Sequence, residues 1–423
     1  MARILIVGAG PAGMTTALFL ARLGIRSVLI DKERFPRDKI CGDGLSGWVL
    51  YMLDRLNPEW TRELASMDGA QPSGAIRFYA PNLKQITLPY RNKYHPGLAP
   101  GYIIRRREFD AFLWQKVEQN PDIETIEGLE ITDFYEDNGE AVLSGIHTDS
   151  GTFAASATVN PATSELRGDL VVFADGAGAR FTRHPSSGLK NDRHHATGIK
   201  LYFKGLPPAD ENLNPVEFYF LKSILPGYLW IFPLPGGEAN VGMGIRTDVM
   251  KRNKIQLKRE LLRSIEETPI LKERFQHAEA ISEVQAWGLP LGSKKMPISG
   301  NRYLLTGDAA SLIDPFTGEG VGNAMNSGFH AAEHIEKCIL NNRYDADFNR
   351  QYDQRVYAKL WKELRNSKMI QDLLVRPQLF SWVMNRAVTS HYLQKSFVRM
   401  IDSLDERKKL ANPLFYLRVL LGR

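Results

Sequence analysis

Three glycines and one acid near the start of the chain have the types and spacing of an anion- and ribose-binding site: Gly8, Gly10, Gly13 and then Asp31. Gly8 permits a sharp turn, Gly10 lets backbone approach a pyrophosphate, and Gly13 lets a helix lie tight against a strand. The phosphate would rest on the helix N-terminus, where free N–H groups and the dipole favour negative charge. Asp31, 18 residues beyond Gly13, is spaced to reach a ribose hydroxyl. Its charge disfavours a 2′-phosphate, so the pattern predicts FAD or NAD rather than NADP.

A second glycine-rich run, from Gly307-Asp308 to Gly322, follows the strand Arg302–Thr306 and opens a helix over about 320–340. It has no strand–helix–strand unit and acid of its own, so it reads as a further part of the first ligand's site. Between the two blocks, Lys32–Ser46 is polar and glycine-rich. Gly42 and Gly44 there argue for close backbone approach to something bound, while Cys41 is either part of that edge or a small buried filler. Tyr228 and Trp230 are two apart on a strand and share a face, as core or as the wall of an apolar cavity. Three arginines, 105–107, open a helix against its dipole, which predicts an anion partner for one of them.

These residues need particular elements to hold them. Ile4–Val7 reads as a buried parallel strand, Pro11–Leu23 as a helix stopped at Gly24, and Arg26–Ile30 as the second strand. A helix over Ser46–Leu56 and alternating strands at 75–79, 85–88 and 102–104 follow, then a β-meander over 121–157 with turns at Asp137-Asn-Gly139 and Asp149-Ser-Gly151. The strand from Asp169 ends in Asp175-Gly176. Four strands between 196 and 247 suggest a separate sheet, followed by helix at 254–275 and strand at 279–288. The expected fold is α/β, a Rossmann-like dinucleotide-binding domain (1–72, 101–185 and 278–345) with an interleaved antiparallel β-sheet substrate domain (73–100 and 186–277). A helical C-terminal region, 346–423, completes it.

The 423 residues, 43% hydrophobic, suffice for two or three domains with a large core. The two cysteines, Cys41 and Cys338, make neither a disulfide framework nor a metal cluster. No run of about 18 apolar residues occurs, and a strand begins at residue 2, leaving no signal peptide. The expectation is a cytoplasmic protein, soluble or peripheral to a membrane. From Arg350 onward fifteen Lys/Arg face six Asp/Glu, a balance of +9 within a net charge of +6. The basic character therefore belongs to a tail that also carries Trp361, Phe380, Trp382, Tyr392, Phe397, Phe415 and Tyr416. Those aromatics either pack inward or meet a membrane, with 412–423 the best candidate for a surface helix. The partner expected is an apolar small molecule or lipid, not nucleic acid.

Read as a set, Gly8-x-Gly-x-x-Gly13 with Asp31, Arg106 before Phe109-Asp110, Asp175-Gly176 and Gly307-Asp308 resemble the FAD-dependent monooxygenase-like flavoproteins of the para-hydroxybenzoate hydroxylase fold. The resemblance runs from residue 1 to about 340. Lys39-Ile-Cys-Gly-Asp-Gly-Leu-Ser46 and Pro226-Gly-Tyr-Leu-Trp-Ile-Phe-Pro233, similar to a YxWxFP signature, resemble the geranylgeranyl reductase family within that group. The departures are Asp31 where glutamate is more usual and Ala179 where serine often stands.

The resemblance implies FAD as cofactor, with Gly8, Gly10, Ala12 and Gly13 at its pyrophosphate and Asp31 at its adenosine ribose. It implies Arg106 at the phosphate and ribityl region, backbone near Leu129 at the adenine, and Asp308 at the pyrophosphate–ribityl stretch. Gly320 and Val321 would aim helix N–H groups at the isoalloxazine, whose reduced form carries negative charge. Cys41, Gly42 and Gly44 would line the other flavin edge, Cys41 beside the reacting carbon, and Tyr228 and Trp230 would wall the substrate cavity. The implied activity is hydride transfer from reduced flavin to a C=C bond of a prenyl lipid. NAD(P)H or another reductant would bind transiently, since no nicotinamide domain is visible. A hydroxylase or epoxidase would share the FAD motifs. A halogenase would carry WxWxIP, in which Tyr228 and Phe232 here replace the first tryptophan and the isoleucine. A flavin- and lipid-binding module without turnover is the reading of another class.

Overall fold

The structure, a computed structural model, describes residues 2–92, 95, 97–148, 165–178 and 191–375, with positions 378, 382 and 390. Every residue of Ile4–Val7 is apolar and buried, which marks a central parallel strand. It pairs in parallel with Ser27–Asp31 on one side and Leu170–Phe173 on the other. Ile123–Glu127 extends the sheet beyond Ser27–Asp31, and Tyr303–Leu305 then Ser299–Gly300 extend it beyond Leu170–Phe173. The helix Pro11–Arg22 starts directly after the first strand, with proline at its first position and Gly10 as a cap that offers no side chain. The long helix Val321–Asn341 crosses it closely, since a Cβ on Gly328 would stand 2.6 Å from the Ala12 carbonyl oxygen.

The second sheet runs Glu279–Ala280, His195–Lys204, Glu238–Arg246, Tyr228–Leu234, Val216–Tyr219, Ala75–Tyr79, Gln85–Pro89. Val216–Tyr219 and Ala75–Tyr79 pair in parallel, which joins two distant stretches of chain. Side-chain alternation gives this sheet two characters. Ile199, Leu201, Tyr219, Leu229, Ile231 and Val241 pack with Leu257, Leu261 and Leu271 of the helices Leu257–Glu267 and Pro269–Arg274. The opposite face looks toward the first sheet.

Three expectations are corrected. Gln285–Pro290 pairs antiparallel with His195–Lys200, so the second sheet continues past residue 277 because that edge strand needed a hydrogen-bonding neighbour. Gly101–Ile103 joins Gly44–Leu45 and Gln71–Ser73 in a small sheet rather than Ala75–Tyr79. The helix expected over 254–275 is two helices, divided before Pro269, whose missing N–H cannot continue the ladder.

The turn at Asn138-Gly139 is present, both residues having positive φ, while the turn at 149–151 and Ala179 lie outside the described residues. The C-terminal region is a helix over Ala346–Leu374. Phe380, Tyr392, Phe397, Phe415, Tyr416 and the 412–423 segment lie outside the described residues. Among the described residues no helix is long and apolar enough to cross a membrane.

The helix packs tightly on the turn that follows the first strand. A Cβ on Gly13 would stand 1.9 Å from the Gly8 carbonyl oxygen. Gly13→Ala must therefore push helix from strand, and it is expected to lower stability by about 1–3 kcal/mol, read from the urea midpoint.

Candidate active site

The C-terminal edge of the first sheet and the concave face of the second enclose a cavity of about 1250 Å³. Each site residue expected from sequence lines it except Gly13, which stands one layer behind, against Gly8.

At one end the glycine turn is tied down by Asp31. Its buried carboxylate accepts from the N–H of Ala9 at 2.7 Å and of Glu33 at 2.9 Å. Gly8 has φ +100°, and a Cβ there would lie 2.5 Å from the Ala174 carbonyl oxygen. Gly10 is open toward the cavity, the nearest atom to its missing Cβ being an Arg37 nitrogen at 3.9 Å. Arg37 was not foreseen from the sequence. It pairs with Asp110 at 3.0 Å, donates to the Ala9 carbonyl at 3.3 Å and lies 3.9 Å from Asp31, which holds a guanidinium over the turn.

Arg106 lines the same end but forks onto Asp110, at 2.8 and 2.9 Å. Burial weakens its charge, but Asp110 and the neighbouring Cys41 outweigh that and raise its pKa. The anion expected for this arginine cluster is therefore internal, and Arg105 likewise pairs with Glu238. Lys39 lies 3.4 Å over the Trp287 ring. Burial lowers its pKa to about 8, with Arg106 and Arg37 acting in the same direction and Asp308 against. Burial raises the Asp308 carboxyl, opposed by Lys39 and Arg106.

The second glycine block is shaped from behind. Asp314 accepts from the N–H of Phe316 (2.9 Å) and Thr317 (2.8 Å) and from the Ser367 hydroxyl (2.6 Å). Gln371 donates to the Pro315 carbonyl at 2.7 Å. The helix Ala346–Leu374 thus braces this loop. Gly320 caps Val321–Asn341 without a side-chain acceptor, and the start of that helix, with Val321, Asn323 and Ala324, lines the cavity. An open Gly10, three cations and a helix N-terminus on one cavity fit a dinucleotide with a diphosphate and an electron-accepting ring.

The other end is aromatic, and strand register explains it. Trp230 stands opposite Gly242 and Phe218, and Phe218 opposite Phe78. The next row along carries Phe232 and Ile76. Phe218 packs on Phe78, Tyr228 and Phe232 with ring centroids 5.6, 5.1 and 5.4 Å apart. The Tyr228 hydroxyl donates to the Thr317 carbonyl at 2.7 Å, so its ring rather than its proton is offered. Burial raises its pKa.

A buried polar node joins this wall to the Cys41–Gly44 loop, and the sequence reading missed it. Asn240, fully buried, accepts from the Trp230 indole N–H at 2.9 Å and donates to the Cys41 carbonyl at 2.9 Å and to Asp43 at 2.7 Å. Asp43 also accepts from the Tyr202 hydroxyl at 2.7 Å and the Arg106 N–H at 3.2 Å, and Lys200 donates to that hydroxyl at 2.7 Å. Burial raises the Asp43 carboxyl, opposed by Lys200 and by its hydrogen-bond donors. The available signal was polar residues interrupting apolar strands: Lys200 between Ile199 and Leu201, Asn240 between Ala239 and Val241.

With this geometry, the comparisons can be placed. The family model for the FAD binding domain matches residues 1–367. A digeranylgeranylglycerophospholipid reductase of Thermoplasma acidophilum is 31% identical over 373 residues, covering 86% of this chain and 85% of that protein. This chain belongs to the FAD-dependent geranylgeranyl reductase family. The same-named protein of Thermoplasma volcanium is 28% identical over 96% of this chain and 91% of its own length. A menaquinone reductase of Mycobacterium tuberculosis is 27% identical over 86% and 79%. Among solved structures, a geranylgeranyl bacteriochlorophyll reductase-like protein from Thermoplasma acidophilum shares the fold with TM-score 0.77 at 23% identity, covering 92% of this chain and 91% of that one. A flavin-dependent brominase gives 0.73 at 20%, over 96% and 93%. The chain is an FAD-dependent oxidoreductase, and the end of the cavity at Gly10 and Val321 fits that cofactor.

Two outcomes follow for this reductase. Between about 8 and its ordinary 10.5, Lys39 binds fewer protons folded than unfolded, so the cost of burying its charge is fully present below that window and is relieved as pH rises through it. The stability of wild type relative to Lys39→Met, from urea unfolding across pH 7–11, should rise with pH about as far as 10.5. Asn240→Leu leaves the Trp230 N–H and the Cys41 carbonyl without their partner, and should cost about 1–3 kcal/mol per group, read from the urea midpoint.

Proposed function

We propose that this reductase saturates C=C bonds in the prenyl chain of a lipid. The observation that carries the reading is the aromatic wall formed by Phe78, Phe218, Tyr228, Trp230 and Phe232, continuous with the dinucleotide cradle in one cavity. A slender, unsaturated, apolar chain suits such a wall, where it is held by area and shape rather than by hydrogen bonds. The names of the relatives, reductases of digeranylgeranylglycerophospholipid and of menaquinone, support a lipid.

Bound FAD would supply the hydride. Gly8, Gly10, Ala12, Asp31, Arg37 and Lys39 hold its diphosphate and ribose end, Arg106 and Asp308 its middle, and Leu129 its adenine. The N–H groups after Gly320 offset charge on its ring. Cys41, Gly42 and Gly44 border the reacting edge, with Cys41 beside the reacting carbon. Trp230, fixed by Asn240, and Tyr228, fixed by Thr317, keep the chain in register and exclude water. A reductant such as NAD(P)H binds transiently, and the basic C-terminal stretch brings the enzyme to anionic membrane where its substrate resides.

The test is anaerobic. Photoreduced holoenzyme mixed with a geranylgeranyl lipid should lose its reduced-flavin spectrum and yield a product with fewer double bonds. Indifference to several prenyl lipids, followed by rapid substrate-stimulated reaction on admitting air, would overturn the reading in favour of a hydroxylase or halogenase.

A further inference from the structure

Saturating an isolated double bond takes a proton as well as a hydride. The aromatic wall carries few groups able to give one. The Tyr228 hydroxyl is spent on the Thr317 carbonyl, and Asp314 on two N–H groups and Ser367. Strand register places a different group at the wall's end. Lys200 lies opposite Gly242, and Gly242 opposite Trp230. Gly242 leaves the space between them to the indole, because a Cβ there would stand 2.1 Å from the Trp230 ring. Lys200 is 1% exposed yet lines the cavity, and such a buried ammonium is costly unless something beside it can share its charge.

What lies beside it is a hydrogen-bonded chain. Lys200 Nζ donates to the Tyr202 hydroxyl at 2.7 Å, and that hydroxyl donates to Asp43 Oδ2 at 2.7 Å. Asp43 and Tyr202 are buried as well. The polarity is uniform from lysine to carboxylate, so Tyr202 links the ammonium to the Asp43 charge and fixes where Nζ sits.

We propose that Lys200 delivers the proton that completes the reduction, and that Tyr202 and Asp43 hold its ammonium at the end of the wall. The inference rests on the reductase reading. The π pair of the double bond forms the C–H bond to the Lys200 proton, while the hydride supplied by reduced FAD forms the other. The lipid gains two electrons, both from the cofactor. Lys200 is left as a neutral amine, and water entering the vacated cavity, which Lys200 lines, restores its proton once product leaves. The charged and titratable groups facing this chain are Arg106 and Cys41 beside Asp43, Asp38 toward Tyr202, and Arg105 over the Tyr202 ring at 4.1 Å with its partner Glu238. The two arginines lie near enough to offset the charge of the Asp43 carboxylate.

The experiment uses the full-length flavoprotein. Anaerobic reoxidation of photoreduced Lys200→Met by a geranylgeranyl lipid should be slower than wild type by about 100-fold or more, with FAD affinity unchanged. Independently of turnover, ¹³Cε-lysine NMR of the oxidised holoenzyme should show the Lys200 signal displaced by both Tyr202→Phe and Asp43→Asn. Reoxidation of Lys200→Met at the wild-type rate would overturn the proton role and leave the reductase standing. A wild type that no prenyl lipid reoxidises would overturn both. A Lys200 signal indifferent to Tyr202→Phe and Asp43→Asn would overturn their hold on the ammonium, whatever the activity of the variants.

Discussion

The Asp43 carboxylate is where the two halves of this reductase are fastened. It takes one donor from the start of the helix Arg106–Glu118 and two from the second sheet, Tyr202 and Asn240. A carboxylate without exposure is expensive to bury, and three donors with Lys200 behind them make the burial tolerable. Removing any one partner leaves the others to carry a poorly solvated charge. The loop that contributes Asp43 has no slack either. Asp43 has φ +65°, and a Cβ on Gly42 or Gly44 would stand 3.2 or 3.3 Å from the Phe232 ring. The loop thus lies flat against the aromatic wall.

Because Asn240 holds Asp43, the Cys41 carbonyl and the Trp230 indole together, the cofactor-facing loop and the substrate-facing wall cannot move independently. The opposite side of the cavity is fixed from another direction. Ser367 and Gln371 of the C-terminal helix reach the Asp314–Pro315 turn, and Tyr228 reaches Thr317 just beyond it. The cavity is therefore clamped at both rims by buried side-chain hydrogen bonds, while its middle is left to apolar contact. Polar groups fix geometry here and apolar surface supplies affinity.

The fold itself does not choose the chemistry. A brominase and a reductase-like protein share it to nearly the same extent, with TM-scores of 0.73 and 0.77. What distinguishes this chain is the face it builds over the ring site: Tyr228 where a halogenase signature has tryptophan, and Phe232 where it has isoleucine.

Much was legible in the order of residues because local rules sufficed. Glycine spacing, an all-apolar strand and a terminal acid define a dinucleotide turn through backbone geometry alone, and period-two alternation put Tyr228 and Trp230 on one face. Long-range pairing was not legible. Nothing local says that Gln285–Pro290 continues the sheet at His195–Lys204, or that Asn240 meets a loop 199 positions away. The same limit hid the partner of Arg106 in part and that of Lys200 wholly. The sequence by itself determined the cofactor turn and the character of each sheet face, since those follow from steric and periodic constraints on neighbours. Which polar groups share a buried charge was decided by the tertiary structure, because burial and partner distance exist only once separate elements have packed.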